Sequence, residues 1–304
     1  MTAGGGASRV DEYAVSKAYL VPVVGFVGVV HSVFATACNI VVDGLLLTVQ
    51  DAARQHTPTS VRVAVAGPAI WSPSVRVGDR AVHRAGVLSF GNHVLDLDRV
   101  PVWAPAPVAH GDPIRSPVHR RLACLAAARR GHLGDRGYQT APQLERDVRT
   151  LGALLAGGLA QPSDCQELET AVARLIGAGA GLTPSGDDVL VGVLAALCRG
   201  GNGSPHAAVA FDRIGAIVSR HVHRTTDISA HYLRLAARGH VGEPLSVLVD
   251  SVLAGVDAEV VDARARDVLG IGASSGSDAL LGVLTGLGAV LELPSHTQTH
   301  EKVA

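Results

Sequence analysis

The chain has 304 residues, 47% of them apolar and 17% charged, a balance that belongs to a globular protein with a large core and excludes disorder over most of its length. Lys and Arg total 26 against 27 Asp and Glu, so no net field recruits nucleic acid, while 14 His leave room for charge changes near neutral pH. Cys38, Cys124, Cys165 and Cys198 stand singly, with no Cys-x-x-Cys pair to suggest a zinc site or a disulfide framework, and they fit a reducing cytoplasm.

In chain order, Met1 to Arg9 lacks the basic start and apolar run of a secretory leader, and residues 1–19 read as a flexible Gly-rich tail. Leu20 to Val42 is about as long as a bilayer requires, but Pro22, His31, Asn39 and many β-branched residues favour buried strands, so no membrane partner is expected. Over 20–104 the reading is a β-rich domain. Its strands are expected at Val21 to Val30, Ser32 to Val42, Leu45 to Val49, Ser60 to Ala66, Val75 to Val77, Val82 to Leu88 and His93 to Leu97. Turn signals separate them at Asp43-Gly44, Ala66-Gly67-Pro68, Gly78-Asp79 and Gly91-Asn92, which predicts an antiparallel barrel or sandwich. Pro101, Pro105, Pro107, Pro113 and Pro117 then mark a boundary, with a link over 105–117 that suits neither helix nor central strand.

From 118 to 304 the periodicity becomes helical. Helices are expected at Val118 to Arg130, Ala141 to Leu159, Ser163 to Ile176, Gly186 to Arg199, Pro205 to His221, Asp227 to Arg238, Pro244 to Ala254, Ala258 to Val268 and Gly276 to Leu293. Ser163 with Gln166 has capping-box spacing, and Gly131, Gly177 and Gly239 stand where helices should stop. The fold class is therefore α+β, an N-terminal antiparallel β domain followed by an all-helical domain.

Within the helical part a device occurs twice. Gly-Ala-Gly-Ala-Gly-Leu-Thr-Pro-Ser-Gly-Asp-Asp at 177–188 has a shorter echo at 272–284, pairing Ser185 with Ser275, Gly186 with Gly276, Asp188 with Asp278 and Gly192 with Gly282. A glycine-and-hydroxyl loop running into an apolar helix presents free backbone N–H groups at the positive helix end, which suits phosphate or carboxylate. The spacing is neither a Walker A loop nor a dinucleotide fingerprint. Candidate ligand contacts are Gly179, Gly181, Thr183, Ser185, Gly186 and Asp187 in the first copy and Ser274, Ser275 and Gly276 in the second. The competing reading makes Ser185, Asp187 and Asp188 simple helix caps.

A third cluster, His221 to Ser229, offers Arg224 as a planar fork for an anion, with Thr225, Thr226 and Ser229 as hydroxyl donors. His221 and His223 have no third ligand at zinc spacing. Asp187, Asp188 and Asp278 could hold Mg²⁺ if they converged, which leaves a magnesium-dependent phosphate enzyme open as an alternative and no other cofactor expected. There is no nucleophile-elbow signal.

The run Gly-Leu-Thr-Pro-Ser-Gly-Asp-Asp at 181–188, with Arg-Thr-Thr-x-Ile-Ser at 224–229, Leu-x-x-Ala-x-x-Gly at 233–239 and Ser-Ser-Gly-x-Asp-x-Leu-x-Gly at 274–282, resembles the oxamate carbamoyltransferase subunit family of the AllH type. The β-rich half is similar as well, through His31-Ser32-Val33-Phe34, Gly78-Asp79 and Trp103. The resemblance implies a subunit of a cytoplasmic complex that interconverts oxalurate plus phosphate with oxamate plus carbamoyl phosphate in allantoin breakdown. It implies a small anionic substrate and other carbamoyltransferase subunits as partners. On this view Arg224 neutralises ligand charge, and Asp188 or Asp278 orients the attacking nitrogen. The rival reading is a subunit that binds a metabolite or scaffolds partners without turnover.

Overall fold

A computed structural model describes residues 13–64, 74–107, 115–136, 140–201 and 204–292. The chain divides into two compact units, Met1–Ala104 and Pro105–Ala304.

The first unit is built on β1 (Tyr13–Ala18), β2 (Phe26–Val33), β3 (Ala37–Val42), β4 (Leu45–Asp51), β5 (Ser60–Ala64), β6 (Arg80–Arg84), β7 (Val87–Phe90), β8 (His93–Asp96) and β9 (Val102–Trp103). They form one curled sheet in the order β8-β7-β6-β2-β3-β4-β5-β1-β9. The fold class is α+β as the sequence indicates, but the sheet is mixed, because β4 pairs with β5 and β1 with β9 in parallel. Two-residue turns at Asp43-Gly44 and Ala85-Gly86, all with positive φ, match the strand twist and close β3–β4 and β6–β7. The run Val82 to Leu88 thus contains a hairpin rather than one strand, Val75 to Val77 is no strand, and the turn signal at Ala66-Gly67-Pro68 lies outside the described residues.

Tyr13–Ala18 corrects the expectation of a tail: it is a strand held on both sides. Its anchor is His56, which is 1% exposed. His56 bonds Ser16 Oγ through Nε2 at 2.9 Å and Ser60 Oγ through Nδ1 at 2.8 Å, and its ring stacks on Trp103. Burial, aided by Arg62, pushes the His56 pKa down to about 4, so the ring stays neutral while it ties β1, β5 and β9 together. Lys17 adds bonds from its backbone N–H to Pro101 O and from Nζ to Leu97 O, which draw the sheet into its curl.

The second unit contains α1 (Arg115–Arg136), α2 (Pro142–Ala156), α3 (Pro162–Leu175), α4 (Ser185–Gly200), α5 (Pro205–His221), α6 (Asp227–Ala236), α7 (Glu243–Ala254), α8 (Ala258–Leu269) and α9 (Ser275–Glu292). α1 runs on through Gly131, where a stop was expected, and takes Pro117 into its first turn, where a missing N–H costs nothing. The capping box at α3 is shifted: Gln161 is the cap and its backbone N–H donates to Asp164 Oδ2 at 2.8 Å, with Ser163 already inside the helix. Gly177 and Gly239 do follow helix ends with positive φ.

α4 and α9 form the centre of this unit, with α5, α6 and α7 against α4 and α1, α2 and α8 against α9. Their contact is reciprocal. A Cβ on Gly192 would lie 2.0 Å from Ala279 O and 2.9 Å from Val283 N, and one on Gly282 would lie 2.0 Å from Val189 O and 2.9 Å from Val193 N. Each partner in one half is matched by its aligned residue in the other, so the sequence duplication folds as a local two-fold relation between helices whose backbones touch.

Candidate functional site

The duplicated turns meet where α4 and α9 begin. The first is longer, reaching from the end of α3 at Leu175 to Ser185; the second joins Leu269 to Ser275. Gly186 packs its Cα against the Leu175 carbonyl and Gly276 against the Val268 carbonyl, so each apolar helix starts hard against the end of the one before it. Gly179 has φ +120 and lies beneath the Ser185 backbone N–H, where a Cβ would approach within 2.7 Å; Gly181 faces open space.

The carboxyl groups of the two copies are also held reciprocally. Asp188 is bonded by Ser275 of the opposite turn and Thr183 of its own; Asp278 is bonded by Ser185 of the opposite turn and Ser274 of its own. Thr183 Oγ1 and Ser275 Oγ lie 2.8 Å apart and complete the crossing. In each carboxyl Oδ2 is buried with no hydrogen-bond partner. Burial pushes the Asp188 pKa up to about 8, reinforced by the nearby Asp278 and Asp187 and opposed by the hydroxyls of Ser275 and Thr183. Burial raises Asp278 too, opposed by Ser185, Arg129 and Ser274.

A cavity of about 790 Å³ opens beside Asp278. Ala178, Gly179, Ala180 and Ser185 of the first turn, Ser274 and Asp278 of the second, and Thr140, Gln143, Asp147 and Arg174 contribute to its wall. Gln143 Nε2 donates to both oxygens of Asp147 at 3.0 Å, and Arg174 lies 3.8 Å from the same carboxylate with most of its side chain exposed. Behind the wall, Arg129 Nε donates to Ser277 O at 2.8 Å and Nη2 to Thr140 Oγ1 at 2.8 Å. Burial lowers the Arg129 pKa, while Asp278 and Glu145 hold it up.

Asp187 points elsewhere. It is 0% exposed; its Oδ1 accepts from Gly177 N at 2.8 Å, and its Oδ2 accepts from the hydroxyls of Ser229, at 2.7 Å, and Thr225. Thr226 Oγ1 donates to Leu182 O at 2.5 Å and accepts from Ser229 N as the cap of α6. Thr225, Thr226 and Ser229 therefore clip the Gly-rich turn in place. Arg224 is exposed, donates through Nη1 to Ala173 O at 3.0 Å, and is not part of the cavity wall. With Asp187 turned to this clip, the three aspartates do not converge. Among the described residues no three His, Cys, Asp or Glu side chains are grouped to hold a metal ion.

The structure thus brings Gly179, Ser185, Ser274 and Asp278 together on one cavity, places Thr183, Ser275 and Asp188 directly beside them, and puts Arg224, Thr225, Thr226 and Ser229 in a neighbouring support. Sequence reasoning missed Thr140, Gln143, Asp147 and Arg174. They stand singly on α2, α3 and the segment before them; the one available signal was the polar character of Gln143 and Asp147 at the i, i+4 spacing of one helix face.

Among the described residues no helix is long and apolar enough to cross a membrane. The family model described as oxamate carbamoyltransferase subunit AllH matches residues 175–287, and the model of the AllH family N-terminal domain matches residues 13–102. No solved structure matches the chain.

Proposed function

The chain belongs to the AllH family of oxamate carbamoyltransferase subunits, and from that premise we propose that it works in a complex that moves a carbamoyl group between carbamoyl phosphate and oxamate. The complex would serve allantoin or related nitrogen catabolism in the cytoplasm, with other carbamoyltransferase subunits as partners. The helical unit holds a small anionic substrate in the cavity beside the paired turns. The observation that carries this reading is the cavity itself, where the wall combines two buried carboxyls, Asp278 and the Arg174-paired Asp147, with hydroxyls from both copies and one arginine.

Chemically, carbamoyl transfer needs the leaving phosphate clamped and the carbamoyl carbonyl polarised, and it needs no protein nucleophile. Ser185 and Ser274 supply hydroxyls, the Gly179 region allows close backbone approach, and Gly181, Gly186, Ser275 and Gly276 shape the two helix starts. Arg174 takes the charge-neutralising role in place of Arg224, since the Arg224 guanidinium is bonded to a helix-end carbonyl and Arg174 is the arginine in the cavity wall. Asp278, backed by Asp188, meets the nitrogen of the substrate.

Calorimetric titration of the chain with oxamate, oxalurate, carbamoyl phosphate and phosphate tests this. Arg174→Ala should weaken binding by about five- to tenfold, the modest loss expected for a largely exposed cation. A loss confined to Arg224→Ala would move the site to the α5–α6 junction.

One observation favours a second reading, a scaffold subunit without turnover. Val27, Val82, Ser89 and Val94 lie in register across β2, β6, β7 and β8, and Val27 and Val94 are 56% and 62% exposed. This outward row suits contact with another protein. Full activity of a reconstituted complex carrying Arg174→Ala would support that reading.

A further inference from the structure

The turns at Gly78-Asp79 and Gly91-Asn92 of the first unit border a cleft that the function proposed above does not use. Ser74, Arg76, Asp79, Arg80, Gly91 and Asn92 wall it, around a volume of about 440 Å³. Both turns are pinned. Asp79 N–H donates to Arg76 O at 3.1 Å and Arg76 N–H to Asp79 Oδ2 at 2.8 Å, which closes the first turn on itself. Gly78 N–H donates to Val30 O at 2.9 Å and Val30 N–H to Asp79 O at 2.8 Å, so that turn is also bonded twice to β2. At the second turn, a Cβ on Gly91 would lie 2.5 Å from Ser74 O, and Ser74 Oγ lies 2.7 Å from Nε2 of the buried His93.

Arg76 and Arg80 flank the closed turn, and both are exposed. Among the described residues neither guanidinium has a hydrogen-bond or ion-pair partner; Arg76 is bonded only through its backbone. One exposed arginine is ordinary. Two on the wall of one cleft, carried by backbone that these bonds fix, set two planar forks in place before a ligand arrives. Asp79 is the single carboxylate of the wall, so positive charge prevails there. No large apolar side chain lines the cleft, and a ring or an acyl chain gains little in it. A carboxylate is satisfied by one fork, whereas a phosphoryl group presents three strong acceptor oxygens and can engage both, with the Asn92 amide and the Ser74 hydroxyl beside them.

We propose that this cleft is a second anion site, which takes a small molecule bearing a phosphoryl group through Arg76 and Arg80. It shares no residue with the cavity beside the paired turns, and it stands or falls independently of that cavity.

Pyrophosphate, inorganic phosphate and succinate titrated at low salt into the full, isotope-labelled chain test this, read by NMR at the backbone amides of Gly78, Gly91 and Asn92. Saturable shifts are expected with the phosphates. Tighter binding of pyrophosphate would show a diphosphate bridging the two arginines, and equal affinities a single phosphoryl group held by both. Arg76→Lys with Arg80→Lys keeps the charge and removes the forks, and should weaken binding by about fivefold; Arg76→Gln with Arg80→Gln should abolish it. Both pairs of substitutions fall on exposed side chains, so the remaining amide signals should stay in place. Shifts that never saturate, or that persist in the glutamine pair, would overturn the site. Succinate binding as tightly as pyrophosphate would overturn the phosphoryl assignment. The amides of Gly179 and Gly181 report on the other cavity in the same titration, so failure of one site is distinguishable from failure of the other.

Discussion

Gly282→Ala adds a single methyl group at the contact between α4 and α9. That methyl would sit 2.0 Å from Val189 O and 2.9 Å from Val193 N, atoms of the facing helix backbone that cannot swing aside as a side-chain tip can. Relief requires the two central helices to part by about 1 Å, which also loosens the packing along their length. Overpacking of this kind costs roughly 1–3 kcal/mol and occasionally more, and a rigid backbone obstacle puts Gly282→Ala at the upper end, about 3 kcal/mol. For a unit of this size that corresponds to a Tm lower by about 6–12 °C. Gly288→Ala is the internal control. It lies in the same helix, its added Cβ meets nothing within 4 Å, and it should stabilise the helix by about 0.5–1 kcal/mol. Thermal and urea unfolding followed by circular dichroism measure both. Because one parting of the helices relieves both glycines, Gly192→Ala combined with Gly282→Ala should cost less than the sum of the two. Equal Tm values for the Gly282→Ala and Gly288→Ala variants would refute the backbone-contact argument.

Asp187→Ala should destabilise the chain by about 3–5 kcal/mol in the same assay, since it removes an acceptor shared by Gly177, Thr225 and Ser229 in a fully buried site; the first turn should become more susceptible to proteolysis. Asp188 is held well above its ordinary range, at about 8. The native state therefore keeps a proton that the unfolded chain has released, and this contribution to stability is present below the unfolded value near 4 and is lost as pH rises toward 8. Tm should decline between mildly acidic and alkaline pH, and Asp188→Asn should flatten that decline; an unchanged slope would show that Asp188 is ionised throughout. His56 acts with the opposite sign, because its pKa is lowered to about 4. Its stabilisation of the β unit is present above the unfolded value near 6.5 and is lost as pH falls toward 4, so His56→Gln should reduce the acid sensitivity of that unit.

How far the sequence discloses this molecule can be traced residue by residue. The pairing of Ser185 with Ser275, Asp188 with Asp278 and Gly192 with Gly282 was legible because duplication leaves a fixed offset, and the structure places each pair in equivalent contacts. The helical elements were legible because their apolar period is clear and glycine stops such as Gly177 and Gly239 punctuate it, although Gly131 lies inside α1 and the α3 cap is Gln161 rather than Ser163. β1 and β9 were not, since Tyr13–Ala18 has little apolar alternation and Val102–Trp103 is flanked by prolines; His56, distant from both along the chain, is what binds them. Arg224 illustrates the opposite case. Its local context of hydroxyls before a helix suits an anion, yet those hydroxyls serve Asp187 and Leu182, and the guanidinium closes the end of α3. Arg174 carries no local pattern and Asp147 only its i, i+4 spacing from Gln143, because what makes them part of a cavity wall is the packing of α2 and α3 beside the turns.

The crossing of hydroxyls between the turns has a consequence for how this region can change over time. Each acidic group depends on a serine of the other copy, Asp188 on Ser275 and Asp278 on Ser185, so a substitution in either turn is felt first in the other. Neither copy is free to diverge by itself at those positions. Apart from Thr183, which bonds Ser275 of the other turn, the segments between the preceding helix and the serine are not part of the crossing and already differ in length. Variation in the shape of the pocket can accumulate in those connecting segments while the crossed pairs stay as they are.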